Sequence, residues 1–174
     1  MRTALFASLI SLGVIGCGGG EEAPKADPKP EPAKEEPKPE PEPAKKDFAD
    51  MSEEEQHAHL MELGKEVYNN SSLACKTCHM ENGEGQEGVF PPLVGQEEHM
   101  GDCVKHAAIV IYGLNGELVV NGVTYNGAMT PQGNMLSDME IAAVASYERN
   151  SWGNSYGWCS PDDVKKAREK NPLE

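Results

Sequence analysis

Cys75, Cys78 and His79 stand together in the run Cys75-Lys76-Thr77-Cys78-His79. Two thiols separated by two residues can form thioether bonds to the two vinyl groups of one haem, and the histidine that follows can sit under the iron as an imidazole ligand. The spacing therefore predicts one covalently held haem c with His79 as an axial ligand. Other readings of the pair fit less well. Half of a zinc site needs a second Cys/His pair at ligand spacing, and Cys103 and Cys159 each stand far from another cysteine. A redox dithiol wants a βαβ setting, which the flanks of Cys75 lack. There is no second CxxCH and no internal repeat.

The other axial position has several candidate donors. A thioether opposite an imidazole favours ferrous iron more than a second imidazole would, and so raises the reduction potential. Met129, Met100 and Met135 could supply it, whereas Met61 and Met139 read as core filler. His57, His59, His99 and His106 would instead give bis-histidine ligation. His57 and His59 lie on a Glu-rich helix start and read as solvent-exposed.

Positioning these side chains falls to a few short elements. Ser52 with Glu55 is a capping box, and Leu60, Met61, Gly64, Val67 and Tyr68 follow at helical spacing, so one amphipathic helix runs into the cysteine motif. Gly83, Gly85 and Gly88, then Phe90 to Gly95 with Pro91 and Pro92, predict an irregular loop. A second helix is expected from about Asp102 to Tyr112, with Cys103, His106, Ala107, Val110 and Ile111 on one face and Gly113 ending it. Glu117 to Val120 and Val123 to Tyr125 read as two β-arms about Asn121-Gly122, leading to Met129. Ser137 with Glu140 opens a helix expected to stop near Gly153, and Ser160-Pro161 opens a last short one.

The first third of the chain is of a different character. Arg2 and the apolar run Ala4 to Ile15 have the make-up of a secretory signal, too short to span a membrane permanently. Val14-Ile15-Gly16-Cys17 resembles a bacterial lipobox, in which the cysteine is acylated after cleavage, so residues 1–16 are expected to be removed and Cys17 to carry a lipid anchor. Residues 18–46 hold eight prolines and no aromatic or branched aliphatic residue; the segment 17–47 is expected to be a disordered spacer of polyproline character. That leaves 48–174 as the single folded domain. Its 8 Lys+Arg against 20 Asp+Glu give a net charge of −12, which makes nucleic acid an unsuitable partner.

From Gly64 to Asn154 the chain resembles the class I mono-haem cytochromes c of bacterial respiratory chains. The likeness is carried by Gly64 to Tyr68, Cys75 to His79, Gly83 and Gly85, Phe90 to Gly95, Val120-Asn121-Gly122, Tyr125 to Met129, and Leu136-Ser137-Asp138 through Tyr147 to Trp152-Gly153-Asn154. It implies an all-α cytochrome c fold: three main helices around one covalent haem, a short β-hairpin before the axial methionine and a short C-terminal helix. It further implies that Gly64 and Tyr68 cross Val144 and Tyr147, that Pro91 offers its carbonyl to the His79 ring, and that Met129 is the sixth ligand. The chain departs from the family in one place: Met129-Thr130-Pro131 sets the proline one residue later than the family's usual position directly after the methionine.

With Cys17 acylated and Cys75 and Cys78 bonded to haem, Cys103 and Cys159 remain as an even pair in an oxidising compartment. They are expected to form a disulfide, the alternative being two buried thiols. If protein fills both axial positions, no substrate reaches the iron, and one-electron transfer is what is left. The expectation is a lipid-anchored electron carrier on the periplasmic side of a bacterial membrane, not an enzyme. It would exchange electrons with a quinol-oxidising complex and a terminal oxidase or reductase through basic docking patches on those partners. A fixed subunit of such a complex is the alternative, and a haem enzyme or gas binder would need an open sixth position.

Overall fold

The computed structural model describes residues 46–173; Cys17, the leader and the proline-rich tract up to residue 45 lie outside the described residues. After a 3-10 turn at Phe48–Asp50 come helices α1 (Glu53–Asn69), α2 (Cys75–His79), α3 (Glu97–Met100) and α4 (Cys103–Tyr112). Strands β1 (Leu114–Asn115), β2 (Leu118–Val120), β3 (Val123–Tyr125) and β4 (Ala128–Met129) follow, then helices α5 (Asp138–Arg149) and α6 (Pro161–Glu169). Among the described residues no helix is long and apolar enough to cross a membrane.

Both expected capping boxes start their helices. The Ser52 hydroxyl accepts from the Glu55 amide while the Glu55 carboxylate accepts from the Ser52 amide, and Ser137 with Glu140 does the same for α5. A third box, Ser160 with Asp163, starts α6 behind Pro161. The α5 helix ends at Arg149, before the expected Gly153, because Asn150 caps it and Trp152 turns to φ 55°.

Helices α1 and α5 cross at Gly64. A Cβ there would overlap the Ala143 carbonyl and stand 2.7 Å from Tyr147 Cβ, so glycine is what lets the backbones meet. The Ala143 backbone and the Tyr147 side chain are thus what Gly64 meets on α5. Above it Tyr68, Tyr147 and Trp152 form an aromatic cluster with ring centroids 5.1–5.6 Å apart, and the Tyr68 hydroxyl donates to the Met80 carbonyl at 2.6 Å. The cluster fixes α1 against the residue just after the cysteine motif. Gly64→Ala is expected to cost about 1–3 kcal/mol through overpacking and to lower Tm by roughly 5–15 °C in thermal unfolding followed by circular dichroism.

Cys103 at the start of α4 is disulfide-bonded to Cys159, 56 residues away, just before α6. In the chain-entropy account, closing a loop of that length contributes about 4 kcal/mol. Farther along, the Tyr112 hydroxyl donates to the Ala167 and Arg168 carbonyls, while Arg168 Nε meets Asp138 Oδ1 at 2.7 Å. The tail is thereby held to both α4 and α5.

The β2–β3 arm turns through Asn121 and Gly122 at φ 52° and 79°, a two-residue turn with both residues left-handed. A second antiparallel pair lies outside it, with Leu114 opposite Met129 and Asn115 opposite Ala128. This pair positions Met129. A Cβ at Gly113 would collide with the Met129 carbonyl, and the Gln132 and Gly133 amides donate to the Val110 and Ile111 carbonyls at 3.0 and 3.1 Å. The segment after Met129 is therefore stapled to the C-terminal end of α4.

Candidate haem site

Helix α2 is one turn long and is framed by two residues with positive φ, Ala74 and Met80. The turn brings Cys75, Cys78 and His79 to the wall of a single, mostly apolar cleft. Val110, Leu118 and Met129 line the same cleft from α4 and the strands. A smaller cleft adjoins it, also lined by His79 and Met129 and extending past Met100, His99 and His106.

His79 is buried, and its Nδ1 donates to the Pro91 carbonyl at 2.9 Å. A carbonyl can only accept, so Nδ1 carries the hydrogen and Nε2 keeps a free lone pair suited to a metal. The loop that carries Pro91 is itself clamped. Leu93 and Val94 amides donate to the Gly83 carbonyl, and a Cβ at Gly85 would stand 2.6 Å from the Pro91 oxygen. Asn154 completes the clamp: its side chain accepts from the Gly95 amide and donates to the Leu93 and Glu148 carbonyls, all at 2.9–3.0 Å. Asn154 had no readable role in the sequence, because nothing local distinguishes a loop asparagine that bridges 61 residues from one that faces water.

The Cys75 thiol is pushed up to about 12, first by burial and then by the nearby charge of Glu148. A thiol so held is protonated at neutral pH and is a poor nucleophile in the folded chain. Burial likewise raises Tyr68, with Glu148 adding to it, so its hydroxyl remains a donor to Met80.

The remaining candidates separate by position. Met135 is 57% exposed and lines neither cleft, whereas Met100 is buried in the smaller one. His57 and His59 depart from the expected exposure. His57 stacks on Trp158 with centroids 4.0 Å apart, and His59 tilts against Phe48, which half-buries both on α1 and keeps them out of the clefts. The α1 start is acidic, but the 3-10 turn and the segment before α6 fold back over it, which sequence periodicity does not reveal. His99 borders the smaller cleft; burial, then the charge of Lys105, lowers its pKa. His106 is buried and its Nε2 lies 2.9 Å from Glu148 Oε2.

The cleft's donor set fits a haem. It offers two free thiols at thioether spacing, an imidazole with a free Nε2, a thioether and apolar walls. Gln132 lines the larger cleft and His106 the smaller one, and each keeps one buried polar atom, Oε1 and Nδ1, without a protein partner. A zinc reading fails on the same residues: Cys103 and Cys159 are spent on each other, and no group of three or more His, Cys, Asp or Glu gathers among the described residues.

Comparison with known proteins agrees with this chemistry. Residues 61–152 match the family model described as Cytochrome c. The chain is 34% identical over 108 residues to cytochrome c-552 of Thermus thermophilus, an alignment covering 55% of this chain and 79% of that protein. It is 36% identical over 107 residues to the cytochrome c subunit of a quinone alcohol dehydrogenase of Gluconobacter oxydans (strain 621H), covering 60% of this chain but 22% of that subunit. The fructose dehydrogenase cytochrome subunit of Gluconobacter japonicus is 29% identical over 104 residues, covering 54% and 20%.

Proposed function

Since the chain belongs to the cytochrome c family, whose members transfer electrons through a covalently bound haem c, we propose that it is a membrane-tethered, periplasmic one-electron carrier of a respiratory chain. In this reading Cys75 and Cys78 hold the haem, and His79 and Met129 ligate its iron. The bound group supplies a reversible ferric/ferrous couple. The protein's own residues do the rest. Pro91 orients the His79 ring and strengthens it as a base, the apolar walls exclude water, and the staple of Gln132 and Gly133 onto α4 keeps the Met129 segment in place.

The observation that carries the reading is the convergence of His79 and Met129, 50 residues apart in the chain, on one cleft beside the two thiols. His79 and Met129, holding the iron between them, would leave no position on it for a substrate. The tether in this reading is an acyl chain on Cys17, which lies outside the described residues. The net charge of −12 over 48–174 favours weak, salt-sensitive docking to basic patches on a quinol-oxidising complex and on a terminal oxidase or reductase.

A second reading, a fixed subunit of an oxidoreductase complex, is favoured by the likeness to cytochrome subunits of dehydrogenases. Solubilising native membranes in detergent at low and high salt tests both. A carrier is expected to enter the detergent phase, to come free of other proteins at high salt and, when reduced, to leave carbon monoxide unbound. A stable complex in high salt would establish the subunit reading. Rapid carbon monoxide binding would overturn the carrier and open the sixth position.

A further inference from the structure

We infer that Asn154 is a positioning residue for the His79 ligand: by holding Leu93 and Gly95 it fixes the Pro91 carbonyl against the imidazole and so sets how strongly that ring donates to the haem iron. The inference rests on the haem-carrier reading above.

Asn154 is 8% exposed, and its side chain makes three hydrogen bonds. Oδ1 accepts from the Gly95 amide at 2.9 Å, while Nδ2 donates to the Leu93 carbonyl at 3.0 Å and to the Glu148 carbonyl at 2.9 Å. The Glu148 oxygen is one of the carbonyls that the end of α5 leaves without an intrahelical donor, so that bond is a helix cap. Capping needs one donor and no reach to a distant loop, as the neighbouring Asn150 side chain shows by serving the Ser146 carbonyl alone within the helix. The bonds to Leu93 and Gly95, across 61 and 59 residues of chain, go beyond a cap. The chain also reaches Asn154 through two successive left-handed residues, Trp152 at φ 55° and Gly153 at φ 92°. An aromatic residue takes that conformation only where its surroundings hold it. Trp152 is held on the same loop, for a Cβ at Gly83 would stand 2.5 Å from Trp152 Cε3.

The path from Asn154 to His79 is short and stiff. The rings of Pro91 and Pro92 fix φ at both residues, and Pro92 restricts ψ of Pro91, so few torsions separate Leu93 from the Pro91 carbonyl. Holding Leu93 therefore holds that carbonyl, which accepts from His79 Nδ1 at 2.9 Å. The Gln86–Phe90 bridge, and the Leu93 and Val94 amides on the Gly83 carbonyl, lie within the loop and fix its shape. Asn154 instead refers that shape to α5, whose Val144 and Glu148 line the larger cleft. Without it the loop can keep its shape and still pivot away from the imidazole.

The sign follows from the hydrogen bond. An Nδ1–H donated to a carbonyl makes the ring a stronger electron donor, and a stronger donor favours ferric iron. Loosening the clamp weakens that bond, so the ferrous form gains and the reduction potential rises. Water admitted to the iron acts in the opposite sense, which lets the two effects be told apart.

The test is Asn154→Ala in the full-chain holoprotein, with Gly64→Ala as the companion that loosens the fold elsewhere. In proton NMR of the ferrous protein, exchange of the His79 Nδ1–H is expected to quicken by about tenfold, the scale of one lost hydrogen bond. In spectroelectrochemistry the ferrous-to-ferric ratio at a fixed applied potential is expected to rise by up to about tenfold, the lower end of what losing such an outer partner does. Gly64→Ala should lower Tm and leave both readings where they were. The inference requires both changes in Asn154→Ala; either reading unchanged overturns it, and so does a falling potential, which would mean that water has entered. Equal changes in Gly64→Ala overturn it too, since general loosening then suffices. Should Asn154→Ala not fold, native-state exchange of the wild type decides. The Gly95 amide and the His79 Nδ1–H opening together support the clamp, whereas Gly95 opening readily with Nδ1–H still protected overturns it. Haem staining of the wild-type band after denaturing electrophoresis reports separately on the carrier reading. Its absence sinks that reading, and its presence with both readings unmoved sinks the role of Asn154 alone.

Discussion

Cys75→Ala combined with Cys78→Ala is expected to yield a chain with no covalently attached haem. In denaturing electrophoresis the haem-stained band should disappear, and any pigment left in the native protein should come out in acidified acetone. The effect should extend to the fold. Leu73, Val110, Leu118 and Val144 line the larger cleft, and without its ligand that apolar wall faces water. In a domain this small the binding free energy of the cofactor is folding free energy, so the double variant should lose much of its helical signal at growth temperature. The Cys103–Cys159 bond survives the substitution and keeps α4 tied to the segment before α6, so residual structure should be found there. Haem that could be extracted from the native protein, or covalent haem persisting in the double variant, would falsify the attachment reading.

Legibility in the sequence tracks how local each determinant is. The Ser52/Glu55 and Ser137/Glu140 boxes are written within four residues, and the helices begin where those residues say. Asn121-Gly122 is equally local, because only a turn with both residues at positive φ joins two strands in two residues. The β1–β4 pair escaped because two-residue strands are too short to show alternation; it exists through Gly113 and the amides of Gln132 and Gly133, whose partners lie more than twenty residues upstream. Helix α3, four residues long, carries no periodicity to read.

The site divides along the same line. Cys75, Cys78 and His79 are one contiguous motif and could be read directly, and the Pro91 carbonyl became legible only through a family likeness. Glu148 carries no local signal of its burial. On α5 the apolar face is spelled out by Ile141, Ala142, Val144 and Ala145, and a single acid near the helix end reads as facing water. Its burial depends on His106, which sits on another helix and whose own neighbours Ala107, Val110 and Ile111 gave it the look of a core position. A polar pair split between two helices leaves no mark in either helix alone.

Met129→Ala should have the largest effect on the chemistry while leaving the fold almost whole. Met129 sits on β4 opposite Leu114, and that pairing uses backbone groups that alanine retains. The staple from Gln132 and Gly133 to α4 is also main-chain, so the segment should stay in place with its thioether gone. Water or a nearby histidine then takes the sixth position, and either stabilises ferric iron better than sulfur does. The potential should drop on the order of 0.2 V, a fraction of the roughly 0.8 V that axial ligands span. The weak long-wavelength band of sulfur-ligated ferric haem should vanish, and the reduced variant should bind carbon monoxide. Two companions locate the effect. Met135, 57% exposed and off both clefts, should tolerate alanine with potential and band unchanged. Met100 is buried, so its truncation should cost about 2–5 kcal/mol of stability yet leave the band intact. If Met100→Ala abolishes the band and Met129→Ala does not, the ligand lies in the smaller cleft and the assignment to Met129 is wrong. If neither substitution matters and the native reduced protein binds carbon monoxide at once, no thioether closes the iron, and the carrier reading falls with it.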